Sequence, residues 1–297
     1  KEYVRIHPKM GQFILSGSVR FTSRKVIRES LTGRIVNLEI LPLSYSESHD
    51  LPITTHLSSV LRMKNERDTI QHFSKNAKLK PSHFNSFLQV GGLPGICFFR
   101  EKHIRIEKFQ AHLDTLLNRD LRMVSETTLP YSALRGVLVY LARHQCEPFE
   151  WSTASKNTQV SVQTLKKLIF AFEALFLIRS VGPISLAPGV ERKSYFILED
   201  QGMTSWLAEH DEGIVGITDI VRGIYANLRQ ELHYNPVVNG SISHYRTKHG
   251  VDVPLVFKSN EGIVGVVCTT EKEPLPKTLG SVQSFLKRFP KAKVILA

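Results

Sequence analysis

The sequence predicts a multidomain α/β protein, and three observations carry that expectation. Short apolar runs bounded by Gly, Ser or Pro near the N-terminus read as buried strands. A middle stretch repeats apolar residues at helical spacing, and the last third alternates β-branched runs with a helix. At 297 residues and 42% apolar composition the chain can bury more than one core, which makes two or three domains the natural division.

The elements follow in chain order. Gln12–Ser16 is a short apolar run ending in Gly17-Ser18, the pattern of a buried strand that delivers small polar residues to a loop, as site strands of open α/β sheets do. Val26–Leu31 reads as a helix broken by Gly33, and Ile35–Leu41 as a second buried strand stopped by Pro42. From Ser44 to His83 the chain is polar and irregular, and the cluster Gly91-Gly92-Leu93-Pro94-Gly95 is a strong turn signal; together they read as a mobile lid. Between Glu101 and Val124, Ile104, Phe109, Leu113, Leu116, Leu117 and Leu121 recur near a 3.6-residue period, predicting a surface helix or helix pair.

Leu134–Ala142, Trp151–Thr158 and Val162–Ile178 read as three further helices, the last capped by Ser161 with a core stripe of Val162, Leu165, Ile169, Phe172 and Phe176. The strand-like Lys193–Leu198 follows after Arg179–Pro188. This is the order of a winged helix-turn-helix. In that geometry Gln163, Lys166 and Lys167 face outward at the start of the third helix and could meet phosphates or base edges, or could simply be a solvated face. Phe170, Ala171 and Ala174, placed on the same face, point instead to a protein contact. Beyond Gly216, an amphipathic helix over Ile217–Tyr234 precedes strands at Ser243–Thr247, Val251–Lys258, Ile263–Thr269 and Lys293–Leu296, with a helix at Leu279–Arg288.

Composition narrows the function classes. No run reaches the roughly 18 uninterrupted apolar residues of a membrane span; the best, Leu165–Ile178, carries Lys166, Lys167 and Glu173. No membrane association is expected. Cys97, Cys146 and Cys268 are odd in number and without Cys-x-x-Cys spacing, which argues against a disulfide framework or zinc site and fits a cytoplasmic location. The formal charge of +12 would attract polyanions such as nucleic acid, although dispersed charge also serves solubility. The chain starts at Lys1 with no charged and then apolar leader, so it reads as an internal fragment with residues missing upstream.

Four segments together resemble one family: prokaryotic AAA+ ATPases that carry a winged helix and a restriction-endonuclease-like C-terminal domain of unassigned function. Phe13-Ile14-Leu15-Ser16-Gly17-Ser18 resembles the family's sensor strand. Ser30-Leu31-Thr32-Gly33-Arg34, followed by Leu41-Pro42-Leu43-Ser44 and Glu47, resembles its SLAGR…LPLSxxE signature. Gly91-Gly92-Leu93-Pro94 resembles its lid motif, and Arg119-Asp120 the pair after its lid helix. The likeness implies three units: the end of an AAA+ P-loop-type α/β core with its helical lid (1–125), a winged helix-turn-helix (126–205), and a small α/β restriction-endonuclease-like domain (206–297). It also implies roles. Ser16 and Ser18 would be sensor residues toward the γ-phosphate or attacking water, and Arg34 a charge-neutralising arginine, in cis or toward a neighbouring protomer. A surface arginine at a helix end is the plainer reading of Arg34.

The family's phosphate loop and the acidic strand that places Mg²⁺ do not occur in this sequence. ATP and Mg²⁺ are therefore expected as cofactors only together with upstream residues, and ATPase (hydrolase) activity is not expected of the chain as given. The nuclease pattern is incomplete too. Tyr245-Arg246-Thr247-Lys248-His249-Gly250 resembles the family's lead-in, and Asp252 stands where it has Glu, but Pro254 replaces the metal-binding Asp, and Val267 and Thr269 replace the second acid and the lysine. One carboxylate cannot hold Mg²⁺ in a catalytic geometry, because that ion needs several oxygen ligands. Asp252 reads more simply as a turn residue, and His249 as surface. No catalytic and no metal-ligating residue is assigned. The expected function is coupling of nucleotide state to DNA or to a partner protein through the winged helix and an inactive nuclease-like unit. The alternatives are a stand-alone DNA-binding protein and a protein-interaction scaffold.

Overall fold

The computed structural model describes residues 6, 9, 11–20, 36–51, 56–63, 65–76, 81–184, 190–209, 215–235, 239–271 and 273–297. The chain is mixed α/β with two sheets. Three helices open the described region: α1 (His56–Arg62), α2 (Glu66–Asn76) and α3 (Pro81–Val90). The irregular lid expected over 44–83 is thus corrected to a largely helical stretch. Its apolar positions are sparse, but Leu57 and Val60 lie one helical turn apart and are buried.

The Gly-Gly turn then leads through the short α4 (Pro94–Cys97) into α5 (Lys102–Thr115), a π turn over Leu116–Asp120 and α6 (Leu121–Val124). The expected apolar stripe is largely the core here, since Phe109, Leu113, Leu116, Leu117 and Leu121 are all buried. Next come α7 (Tyr131–Arg143), α8 (Trp151–Thr158) and α9 (Val162–Ala174), followed by an antiparallel hairpin of β1 (Ile178–Val181) and β2 (Tyr195–Leu198). Ser161 caps α9 by accepting from the Thr164 N–H at 3.2 Å. The helix stops at Ala174 rather than Ile178, because Phe176 takes a left-handed φ of 57° and turns the chain into β1. Ala171 and Ala174, expected on the outward face, are buried; only Phe170 of that trio is exposed. Small side chains there let α9 approach its neighbours.

After α10 (Gln201–Ala208) and α11 (Ile217–Tyr234), β3 (Gly240–Arg246), β4 (Asp252–Ser259), β5 (Gly262–Val267), α12 (Pro276–Arg288) and β6 (Lys293–Leu296) form a four-stranded sheet in the order β3-β4-β5-β6. The first two pairings are antiparallel and the last is parallel. Pro254 sits in β4 where the register slips between Ser243 and Tyr245. A bulge tolerates a residue with no N–H to donate, and the Tyr195 hydroxyl satisfies the Pro254 carbonyl at 2.6 Å.

Two expected strands are corrected. Residues 12–17 and 36–44 have no regular secondary structure. Phe13, Ile14 and Leu15 are 57–94% exposed, and Val36, Leu38 and Ile40 are 84–85% exposed. Strand-like composition makes a strand only where a neighbour offers hydrogen bonds, and no strand lies beside either run among the described residues. The Val26–Leu31 helix and the break at Gly33 lie outside the described residues.

The cores cross the expected divisions at 125/126 and 205/206. One apolar cluster holds Phe109–Leu121 together with α7, α9 and α10. A second joins Leu57 and Val60 of α1 to α11, β4 and β5. Lys293 of β6 donates to the Val60, Leu61 and Met63 carbonyls and so caps the end of α1. In addition β3 is extended by the hairpin: His244 N–H donates to the Gly182 carbonyl at 2.9 Å, Ile184 N–H to the His244 carbonyl at 2.8 Å, and Glu191 N–H to the Arg246 carbonyl at 2.8 Å.

The Gly-Gly turn allows a test of this packing. A Cβ on Gly92 would lie 2.0 Å from the Leu43 carbonyl oxygen, whereas one on Gly95 would meet nothing within 4 Å. Gly92→Ala should therefore lose about 1–3 kcal/mol in urea unfolding by forcing backbone apart. Gly95→Ala should be neutral or gain up to about 1 kcal/mol from helix propensity.

Candidate functional site

The quoted motif stretches that lie among the described residues meet in two places, which Arg20 and Glu39 connect. At the first, the Ser18 hydroxyl donates to Asp120 Oδ2 at 2.6 Å, and Arg119 Nε donates to Asp120 Oδ1 at 2.7 Å. The residue at the end of the sensor-like run is thus joined to the Arg-Asp pair 102 residues later. Asp120 is buried, which makes both charge-assisted hydrogen bonds count. Ser16 is exposed two residues away. Arg34 lies outside the described residues.

At the second place, residues 39–44 are clamped between α11 and the Gly-Gly turn. Leu43 N–H donates to the Gly92 carbonyl at 2.7 Å, Leu41 N–H to the Tyr234 hydroxyl at 2.9 Å, and Gln230 Nε2 to the Pro42 carbonyl. His233 Nε2 lies 2.6 Å from the Glu39 carbonyl oxygen. Gly91 holds a left-handed φ of 78° against the Asp200 carboxylate, which accepts from Gly92 N–H and Met203 N–H, both at 2.7 Å. Burial raises the Asp200 pKa despite those donors. The Ser44 and Glu47 of the LPLSxxE-like stretch cap one another: Ser44 N–H donates to Glu47 Oε2 at 2.9 Å, and Glu47 N–H to Ser44 Oγ at 3.2 Å. That reciprocal bond is a capping box, so those two residues shape the chain.

Glu39 is the charged centre of this region. Its carboxylate pairs with Arg179 of β1, lies 3.2 Å from Arg229 of α11 and 3.9 Å from Arg20. Arg179 also binds Glu199 at 2.7 Å. Burial works against the Arg179 charge, yet Glu199 and Glu39 outweigh it and its pKa is raised. Burial, with the charge of Arg179 added, lowers the Arg20 pKa. Arg20 N–H donates to the Ala174 carbonyl at 2.9 Å and its guanidinium lies over Phe176, which fixes the chain just beyond Ser18 to the end of α9. None of Glu39, Arg20, Arg179 and Arg229 was among the candidates from sequence. The one signal was a lone acid inside the apolar run of 35–41.

The C-terminal unit holds a different arrangement. Asp252, the carboxylate left from the nuclease pattern, forms a two-pronged ion pair with Arg246 at 2.7 and 3.2 Å. His249 is exposed. Among the described residues no three His, Cys, Asp or Glu side chains gather to hold a metal. The Arg246 guanidinium lies over Tyr195 and His244 packs on the same ring. His244 is fully buried, and burial together with the Arg246 charge lowers its pKa to about 4. Burial pushes the Cys146 and Cys268 thiols up to about 12, where they stay protonated and unreactive. Gln163, Lys166 and Lys167 remain exposed on α9, and Lys166 Nζ lies 5.7 Å from the Trp151 ring centre.

Comparison with known proteins adds little chemistry. A family described as a domain of unknown function (DUF8612) matches residues 81–212, which run from α3 through the end of α10 and across position 125. The match has structural sense: Ser205 of α10 donates to the Leu88 carbonyl of α3 at 2.8 Å and closes that stretch on itself. An uncharacterized protein of Methanocaldococcus jannaschii is 25% identical over 170 residues, covering 56% of this chain and 36% of that protein. The chain thus spans about a third of that relative's length. No solved structure gives a significant match. No helix among the described residues is long and apolar enough to cross a membrane.

Two measurements follow from this geometry. Ser18→Ala should cost about 1–2 kcal/mol, since it strips a donor from a buried carboxylate, while Ser16→Ala should stay within about 0.5 kcal/mol; urea unfolding at neutral pH compares them. His244 has a folded pKa near 4 and an unfolded one near 6.5. The unfolded chain therefore binds the extra proton first, and this contribution is fully present above about pH 6.5 and lost as pH falls toward 4. Between pH 7 and 5 the protein should lose about 1–2 kcal/mol that a His244→Asn variant does not lose.

Proposed function

We propose that this chain is the C-terminal portion of an AAA+ ATPase, and that its winged helix and nuclease-like unit couple the nucleotide state to DNA. One observation carries the reading. Val36, Leu38 and Ile40 stand 84–85% exposed at every second position, with Asn37 also exposed, while Glu39 is drawn inward to three arginines. Apolar side chains at every second position, with one anchored acid between two of them, suit a strand that still lacks its neighbour. Ile14 and Leu15, 94% and 57% exposed, leave a second apolar run in water. Each such side chain forgoes about 1.5–3 kcal/mol by staying in water, so both runs ask for a sheet. The strands carrying the phosphate loop and the acidic pair would supply it and would set Ser16 and Ser18 at the nucleotide, with Arg34 toward the phosphates or a neighbouring protomer.

In this reading Asp120 positions Ser18, and Arg20 and Glu39 carry a shift of the sensor segment to α9 and the β1–β2 hairpin. The nuclease-like unit has no cleavage chemistry, since Arg246 already occupies the Asp252 carboxylate. A second reading has one observation in its favour: Phe170, 61% exposed beside Lys166 and Lys167, suits docking of a partner protein on α9.

The chain as given should show no ATP turnover above background and no micromolar ATP affinity, which would need about 8 kcal/mol of contacts. A longer product carrying the upstream phosphate loop should turn ATP over. Calorimetric titration and a phosphate-release assay on both decide it, and turnover by the present chain, or none by the longer one, would contradict the proposal. Plasmid DNA should stay uncut with Mg²⁺ or Mn²⁺. Cutting that disappears in Asp252→Ala would show the nuclease chemistry to be alive.

A further inference from the structure

The joining of the hairpin to β3 links a basic turn of the C-terminal unit, through the hairpin and the start of α8, to Lys166 of α9. The turn is tight. Gly250 N–H donates to the Thr247 carbonyl and Thr247 N–H to the Val251 carbonyl, both at 3.1 Å, and Gly250 adopts a left-handed φ of 89° that favours glycine. Lys248 and His249 therefore stand at its tip, exposed. The return strand of the hairpin runs alongside through the Val190–Thr247 bridge and the Glu191–Arg246 hydrogen bond. Glu191 accepts the Arg192 and Lys193 N–H groups at 2.9 and 3.1 Å and so orients the exposed Arg192 and Lys193. Lys193 pairs with Glu150, the residue before Trp151, and Lys166 of α9 lies over Trp151.

A chain of direct contacts thus links Lys248 to Lys166. Five exposed cations, Lys166, Lys167, Arg192, Lys193 and Lys248, border this line against three carboxylates, Glu150, Glu191 and Asp252, the last paired with Arg246, in a protein of formal charge +12. Because backbone hydrogen bonds fix the hairpin to the sheet, these cations are held in place relative to one another rather than carried on a free wing.

We propose that this composite face binds duplex DNA, with Gln163, Lys166 and Lys167 entering from α9 and Arg192, Lys193 and Lys248 neutralising flanking phosphates. The DNA arm of the function proposed above is its premise; what is new is that the C-terminal unit supplies part of the surface. Duplex DNA is favoured over duplex RNA because a B-form major groove admits a helix, whereas the A-form groove is too narrow. The cations serve affinity and register, since phosphate contacts carry no sequence information.

The test is binding of the chain to a short labelled duplex DNA of mixed sequence, by fluorescence anisotropy at several salt concentrations. Each phosphate contact contributes about 0.9 to the slope of log affinity against log salt. Lys248→Ala should lower the slope by about one and weaken binding several-fold, and the Lys166→Ala, Lys167→Ala pair should lower it by up to about two. Lys248 is at an exposed turn tip, so circular dichroism should show the variant folded. An unchanged slope and affinity for Lys248→Ala, with the lysine pair still sensitive, would overturn the composite face and leave DNA binding by α9 standing. Absence of salt-dependent DNA binding by the unmodified chain would remove the DNA reading itself. Tighter binding to duplex RNA, or a larger loss in Phe170→Ala than in the lysine variants, would also overturn the proposal, the latter in favour of a protein partner.

Discussion

The arrangement depends on one carboxylate. Glu39 is the acid on which three arginines from three parts of the chain converge: Arg20 beyond the sensor-like run, Arg179 on β1 and Arg229 on α11. Three guanidinium groups this close repel one another, and the side chains of Glu39, Arg179 and Arg229 are only 18–20% exposed, so water screens that repulsion weakly. A carboxylate among them turns repulsion into attraction. With Glu39 in place, residues 39–44 can lie along α11 and close the Gly-Gly turn over Asp200. Without it, the hairpin, α11 and the N-terminal segment lose their common partner.

A second consequence concerns the C-terminal unit. The hairpin that follows α9 extends the β3 edge, so that this strand has a hydrogen-bonded neighbour instead of an open side. The junction is buried around Tyr195, with His244 and Arg246 on its ring and Pro254 accepting its hydroxyl. Side chains around the incomplete nuclease pattern are thereby used to hold two units together. Arg246 serves Asp252 and Tyr195 at once, an arrangement that suits a joint better than a metal centre.

Much of the fold is legible in the sequence where a segment satisfies its own requirements. The residues expected for α8 and α11 match the observed helices, because strong amphipathic period and polar ends determine them locally. The strands of the C-terminal sheet and the capped start of α9 are legible for the same reason. The runs at 12–16 and 35–41 read as strands from composition alone, yet a strand is completed by its neighbour, and composition cannot report who that neighbour is. The helices over 56–90 escape notice because a stripe of few apolar residues among many polar ones resembles a loop. Of the site, Ser18 is legible through its motif, and its partner Asp120 through the Arg-Asp pair. Glu39 is not, since its role comes from arginines 19, 140 and 190 residues away. Ala171 and Ala174 mislead for a related reason: a small residue on a helix face marks close packing as readily as an open surface.

The most direct test of the account is a pair of double-mutant cycles in urea unfolding, Glu39→Gln with Arg179→Gln and Glu39→Gln with Arg229→Gln. Exposed ion pairs couple by about 0.2–1 kcal/mol. A shared, largely buried carboxylate should couple to each arginine by more than about 1 kcal/mol. Additivity within about 0.5 kcal/mol in both cycles would contradict the claim that Glu39 ties the hairpin and α11 to the N-terminal segment.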